Sequence, residues 1–204
     1  QKVIAIVGPT ASGKSSLGVF LAQKVGGEIV SADSRQVYKD LDIGTGKITK
    51  KEMVGIPHHL LDVISPKRQF SADDFVKLGE KAIQKIIKKN RVPVIVGGTG
   101  FYTDALLGRI VLPNVPPNSK LRATLEKKSV KALHTTILKK DPGRAKTIEA
   151  KHKRRLIRAL EIAEALGKTP PPQSEEKYDV LWLGLAVPKN TLRTNIRIRL
   201  FARI

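Results

Sequence analysis

The 204-residue chain contains no cysteine. Disulfide scaffolds, cysteine-based zinc sites and thiol nucleophiles are thereby excluded. Aromatic residues reach only 4%, with a single tryptophan. That is unlike a protein that grips single-stranded nucleic acid by stacking successive bases. No apolar run approaches the ~18 residues that a membrane span requires, so no membrane partner is expected. Acidic residues are scarce: 18 Asp and Glu stand against 38 Lys and Arg, a formal charge of +20. None follows Asp179. This imbalance is silent about fold but favours polyanionic partners. The chain starts on Gln1 and runs straight into strand-like sequence, with no visible signal peptide. The expected compartment is therefore cytoplasmic or similarly reducing.

What is present points to an α/β protein. Hydrophobic residues make up 41%, a globular value. Val3–Val7 and Val92–Val96 are short β-branched runs, as in buried parallel strands. Glu28–Asp33 and Val180–Val187 read as further strands. Between them lie helical patterns. Lys14–Val25 presents Leu17, Phe20, Leu21 and Val25 at helical spacing, and a second helix starts at Ser71, which can cap it. Strands alternating with helices imply a parallel sheet flanked by helices. Residues 1–112 form the first part of this core. A small helical insertion is expected over 113–148, with Asp141-Pro142-Gly143 as a turn, and residues 149–204 return to the core. The last helix runs from Leu192 to Ile204. The surplus charge is uneven: residues 1–110 hold 17 basic and 10 acidic residues, residues 111–204 hold 21 and 8.

Gly8-Pro9-Thr10-Ala11-Ser12-Gly13-Lys14-Ser15 fits the pattern of a phosphate loop and sits between a strand and a helix. Its glycines let backbone N–H groups converge on phosphate oxygens, and the helix terminus adds partial positive charge. Lys14 supplies a full charge, and the Ser15 hydroxyl suits a phosphate-bound Mg²⁺. The loop leaves open whether the phosphates belong to a nucleotide such as ATP or to another diphosphate. Asp33 follows the second strand, at the edge where parallel sheets gather ligands. A carboxylate there can serve as general base, metal ligand or turn cap, with Ser34, Arg35 and Gln36 beside it. Thr99, in Gly97-Gly98-Thr99-Gly100, presents a hydroxyl at the third strand's end or simply belongs to a turn. Adjacent His58 and His59 point apart on regular structure and are not expected to bind one metal. Lys151–Arg158 places five cations at the start of a helix and Glu161 and Glu164 later, against the helix dipole. This order fits an anionic partner or a solvated face with pairs such as Arg158–Glu161.

Taken together, these stretches resemble the tRNA dimethylallyltransferase (isopentenyltransferase) family. The resemblance rests on Gly8–Ser15, Asp33–Tyr38, Leu41–Thr45, Pro57–Asp62, Ser71–Phe75, Val96–Gly100 and Arg155–Glu161, in the family's order. It implies a P-loop NTPase-like core. It also implies transfer of a dimethylallyl group from dimethylallyl diphosphate to N6 of the adenine adjacent to the tRNA anticodon. By the same resemblance Asp33 is the base, Thr99 orients the amine, and Lys14 and Arg199 face the diphosphate. Residues 8–15 hold that diphosphate with Mg²⁺ on Ser15. The tRNA contacts implied are Asp33, Ser34, Arg35, Gln36, Thr99, Arg122, Arg154, Arg155, Leu156, Ile157 and Arg158. Ser34 and Gly44-Thr45 match the tRNA-acting branch rather than relatives that prenylate free AMP, ADP or ATP. A small-molecule kinase and a non-catalytic RNA binder are the remaining alternatives. A monomer is expected, with a core whose C-terminal part is missing.

Overall fold

A computed structural model describes residues 1–203; Ile204, the expected end of the last helix, lies outside the described residues. The chain divides into two compact units, residues 1–111 with 173–204, and residues 112–172.

The first unit alternates strands and helices. In chain order it holds β1 (Lys2–Val7), α1 (Lys14–Val25), β2 (Glu28–Ser31), α2 (Lys50–Met53), β3 (His58–His59), α3 (Ala72–Ile87), β4 (Pro93–Gly97) and α4 (Gly100–Leu106). The chain then passes through α5 (Ser119–Glu126), α6 (Val130–Lys140), α7 (Pro142–Thr147) and α8 (Lys153–Leu166) of the second unit. It returns for β5 (Asp179–Gly184) and α9 (Lys189–Phe201). Among the described residues the five strands form one parallel sheet in the order β3-β2-β4-β1-β5. Successive strand residues alternate between its faces. One face packs Val3, Ala5, Val30 and Ile95 against Phe75, Ile83 and Leu106; the other packs Ile6, Ile29, Val94 and Val96 against Val19 and Ala22. Phe75 and Tyr102 stack with ring centroids 4.4 Å apart. The Ser71 hydroxyl accepts the Asp74 N–H while the Asp74 carboxylate accepts the Ser71 N–H, so α3 starts where its capping signal predicts.

The second unit is helical. Leu125, Leu133, Ile137, Leu156 and Leu160 form its core. Glu161 is buried there. It accepts the Arg122 Nε–H at 2.9 Å, the Asn118 N–H at 2.6 Å and a guanidinium bond from Arg158. Burial alone would raise its pKa, but these donors outweigh burial and hold it at about 2.

Several expectations change. The helical unit spans 112–172 rather than 113–148, because the apolar side of α8 completes its core. Asp141-Pro142-Gly143 opens α7 instead of forming a free turn; the Asp141 carboxylate caps it by accepting the Arg144 N–H at 2.9 Å. The fourth expected strand stops at Gly184, and β3 had no strand signal of its own. On α1, Phe20 and Val25 are exposed, while Gly18, Val19 and Ala22 are the residues buried. Small side chains let α1 approach the sheet closely, so its contact face is narrower than its apolar stripe.

The Glu161 cluster predicts a pH-dependent stability. Its folded pKa lies below the usual 4.5, so its contribution of up to about 3 kcal/mol is present above pH ~5 and lost as pH falls towards 2. In urea titrations, the advantage of wild type over Glu161→Gln is therefore largest near neutrality and shrinks across that window.

Candidate active site

The parallel arrangement brings the loops after β1, β2 and β4 to one edge of the sheet. After β1 the chain turns at Gly8, whose φ is 153° and where a Cβ would stand 2.9 Å from the Leu185 carbonyl oxygen. The loop reaches α1 through Gly13, which offers no side-chain cap. The N–H groups of the first turn are thus left for a ligand. The Ser12 Oγ is buried with no partner in the protein, an orphan that a phosphate oxygen would satisfy. Lys14 lies along the loop, its Nζ donating to the Pro9 carbonyl at 2.6 Å.

Part of this loop lines a cavity of about 230 Å³. Lys14, Ser15, Asp33 and Arg199 meet in it, with Thr10 and Ala11 from the loop. Burial lowers the Lys14 pKa; Asp33 works in the opposite direction, and Arg199 adds to the depression. Three cations, Lys14, Arg199 and Arg203, therefore line the space with one carboxylate. Asp33 is held in place by its own turn: Oδ1 accepts the N–H groups of Arg35 at 2.8 Å and Gln36 at 3.3 Å. This fulfils the turn-cap reading of Asp33 without removing the carboxylate from the cavity. Ile29, Ile43, Ile48, Val96, Ile196 and Leu200 give the wall an apolar part, and Ser31, Gln36, Thr45 and His58 add polar groups to it. At the end of β4, a Cβ on Gly97 would collide with the Ala32 carbonyl, so glycine allows β2 and β4 to close together behind the site.

Thr99 is beside the cavity rather than in its wall. Its hydroxyl accepts the Ser34 N–H at 3.1 Å and donates to the Ser34 Oγ at 3.3 Å, which ties together the ends of β2 and β4. Gln36 lines the cavity, whereas Arg35 is exposed. His58 and His59 do point apart. His58 lines the cavity, while His59 Nε2 shares a 2.7 Å hydrogen bond with the buried Glu28. Burial depresses the His58 pKa and favours the neutral imidazole. Sequence reasoning missed Ile43, Ile48, His58, Ile196, Leu200 and Arg203 as lining residues; they are scattered over loops, β3 and α9 and converge only in the fold.

The donors present fit Mg²⁺ in one specific manner. Among the described residues no three His, Cys, Asp or Glu side chains gather as a metal cage. Ser15 and Asp33 offer oxygen atoms in the same cavity. This sparse oxygen set suits a cation carried largely by substrate phosphates and water.

In the helical unit, the predicted RNA contacts separate into two groups. Leu156 and Ile157 are buried in the core, so their side chains cannot meet a ligand. Arg122 and Arg158 are committed to Glu161. Arg154 is exposed and makes no ion pair among the described residues, and Arg155 pairs with Glu149 at 2.7 Å on the surface. The first turn of α8 holds no acid, and its N-cap residue His152 makes no side-chain cap.

A glycine-cornered loop ahead of an uncapped helix, at the carboxyl edge of a parallel sheet, defines a P-loop α/β protein built to hold a phosphate chain. The family model described as IPP transferase matches residues 36–204, and the chain belongs to this family. It is 40% identical over 209 residues to the tRNA dimethylallyltransferase of Halalkalibacterium halodurans, covering 98% of this chain and 67% of that protein. The corresponding protein of Leuconostoc citreum is 42% identical over 198 residues, with 97% and 67% covered. Among solved structures, a eukaryotic dimethylallyltransferase acting on tRNA aligns with a TM-score of 0.87 at 31% identity, covering 100% of this chain and 52% of that one. The full-length tRNA isopentenylpyrophosphate transferase from Bacillus halodurans aligns with a TM-score of 0.67 at 39% identity, covering 99% and 65%. The chain thus spans about two thirds of the length of the curated relatives it matches.

Removing the loop lysine tests the phosphate cradle directly. Lys14→Met should weaken binding of inorganic diphosphate by about 10- to 100-fold in calorimetry, the usual cost of losing a charge-assisted hydrogen bond.

Proposed function

We propose that the chain carries the catalytic core of a tRNA dimethylallyltransferase. The observation that carries this reading is a single cavity joining a phosphate cradle, an apolar wall and one carboxylate. Dimethylallyl diphosphate has a matching division into a charged and a hydrocarbon part.

The reaction balances with the groups present. The exocyclic N6 of the adenine next to the anticodon attacks C1 of the dimethylallyl group. The C1–O bond breaks, and its electron pair leaves with diphosphate. The N6 proton passes to the Asp33 carboxylate, which its backbone donors hold fixed in the cavity. Lys14, Arg199 and the N–H groups at the start of α1 receive the charge that grows on the leaving group. Ser15, with Asp33 near it, would hold Mg²⁺, which when bound neutralises diphosphate charge. Thr99 keeps the Ser34 backbone in register beside the base, through the bond it accepts. The adenine must leave its stack to reach this depth. Arg154, which makes no ion pair among the described residues, and Arg155, whose pair with Glu149 lies on the surface, stand at the uncapped start of α8 to meet the RNA backbone. The protein acts as a monomer in the cytoplasm under this reading.

Labelled dimethylallyl diphosphate, offered with tRNA and AMP side by side, tests the proposal. Label in tRNA supports it, and label in AMP moves the activity to free adenylates. Phosphate transfer from ATP without prenyl transfer would indicate a kinase, and RNA binding without turnover a non-catalytic binder. Asp33→Ala should lower turnover by about 10²–10⁴-fold with RNA binding little changed. Replacing Arg154 and Arg155 with Gln should weaken tRNA binding across sequences and reduce the slope of log affinity against log salt by about 1 to 2.

A further inference from the structure

Helix α9 contains no fully buried residue, yet it supplies Ile196, Arg199 and Leu200 around the cavity, and the turn after it adds Arg203. Little apolar packing holds it in place. Its polar contacts with the rest of the core unit fall on one stripe. Asn195 and Arg199 are spaced four residues apart and therefore share a face of the helix, and Arg203 follows in the turn just past its end. At one end, the Asn195 side-chain amide donates to the Ala11 carbonyl at 3.1 Å. Ala11 lies inside the phosphate loop and has a φ of 61°, a left-handed conformation that costs a non-glycine residue energy unless its surroundings hold it. At the other end, the Arg203 guanidinium donates to the Lys47 carbonyl at 2.6 Å and pairs with Glu52 at 3.3 Å. Lys47 itself is buried and bonded to Asp42, Asp62 and the Tyr38 carbonyl, so the second anchor point is rigid. Arg199 lies midway, facing a cavity that already holds Lys14. Like charge pushes these two apart while Glu52 attracts Arg199, so where the guanidinium rests depends on how the helix that carries it is seated.

We infer that Asn195 is a positioning residue: by fastening α9 to the Ala11 carbonyl, with Arg203 fastening the opposite end to Lys47, it seats Arg199 over the diphosphate subsite. Asn195 acts through Arg199 and touches no reacting atom. This inference rests on the diphosphate reading of the cavity but not on the identity of the prenyl acceptor. Losing one neutral hydrogen bond of this kind has a modest direct effect. Its mark is dependence on Arg199.

A double-mutant cycle with inorganic diphosphate as the probe, followed by calorimetry on the full chain, tests it. Asn195→Ala should weaken diphosphate binding about five-fold when Arg199 is present, and by less than two-fold in an Arg199→Ala background. Asn195→Asp, similar in shape but carrying an acceptor and a negative charge where the donor stood, should weaken it further than Asn195→Ala. Thermal midpoints measured alongside separate loss of seating from loss of fold. Equal losses in both backgrounds would overturn the inference while leaving the cradle intact. Failure of the wild-type chain to bind diphosphate would remove the cradle and the inference with it.

Discussion

Excess positive charge in a confined space governs this site. Lys14 and Arg199 enter one cavity, an uncapped helix terminus adds to them, and Asp33 is their nearby counter-charge. Burial makes the charge on Lys14 harder to keep, as its lowered pKa shows. A ligand bringing two or more negative charges relieves that cost, and it also satisfies the stranded Ser12 hydroxyl.

The scaffold holds these charges in place by covalent and steric means more than by mutual attraction. Gly8 lets the chain pass under Leu185, and Gly97 lets β2 and β4 close together behind the cavity. The Asp33 turn binds its own carboxylate with two backbone N–H groups. A carboxylate fixed in this way by its own turn needs no cationic partner. Rigidity at the reacting centre comes from the core strands; adjustable geometry sits on α9, whose side chains are largely exposed.

The helical unit shows how a basic surface divides its labour. Of the arginines grouped by sequence, Arg122 and Arg158 neutralise Glu161 and stabilise the unit. Arg154 and Arg155 remain at the surface. Neighbours in sequence therefore have different roles, and charge counting alone overstates the surface offered to RNA.

Much of the fold was legible in the chain. The β-branched runs, the phosphate loop and the Ser71 cap act over a few residues, so their positions follow from local sequence. Lys14, Ser15 and Asp33 could be singled out because parallel topology sends their loops to one edge. Tertiary structure alone decided the rest. Phe20 lies on the apolar stripe of α1 yet remains exposed, because close approach through Gly18, Val19 and Ala22 leaves the rim of the stripe in solvent. The roles of Leu156, Ile157 and Glu161 depended on which helix met which. The assembly of Ile43, Ile48, His58, Arg199 and Arg203 around one cavity joins residues more than a hundred positions apart. Local sequence sets which way a side chain can point; only the packed chain sets what it meets.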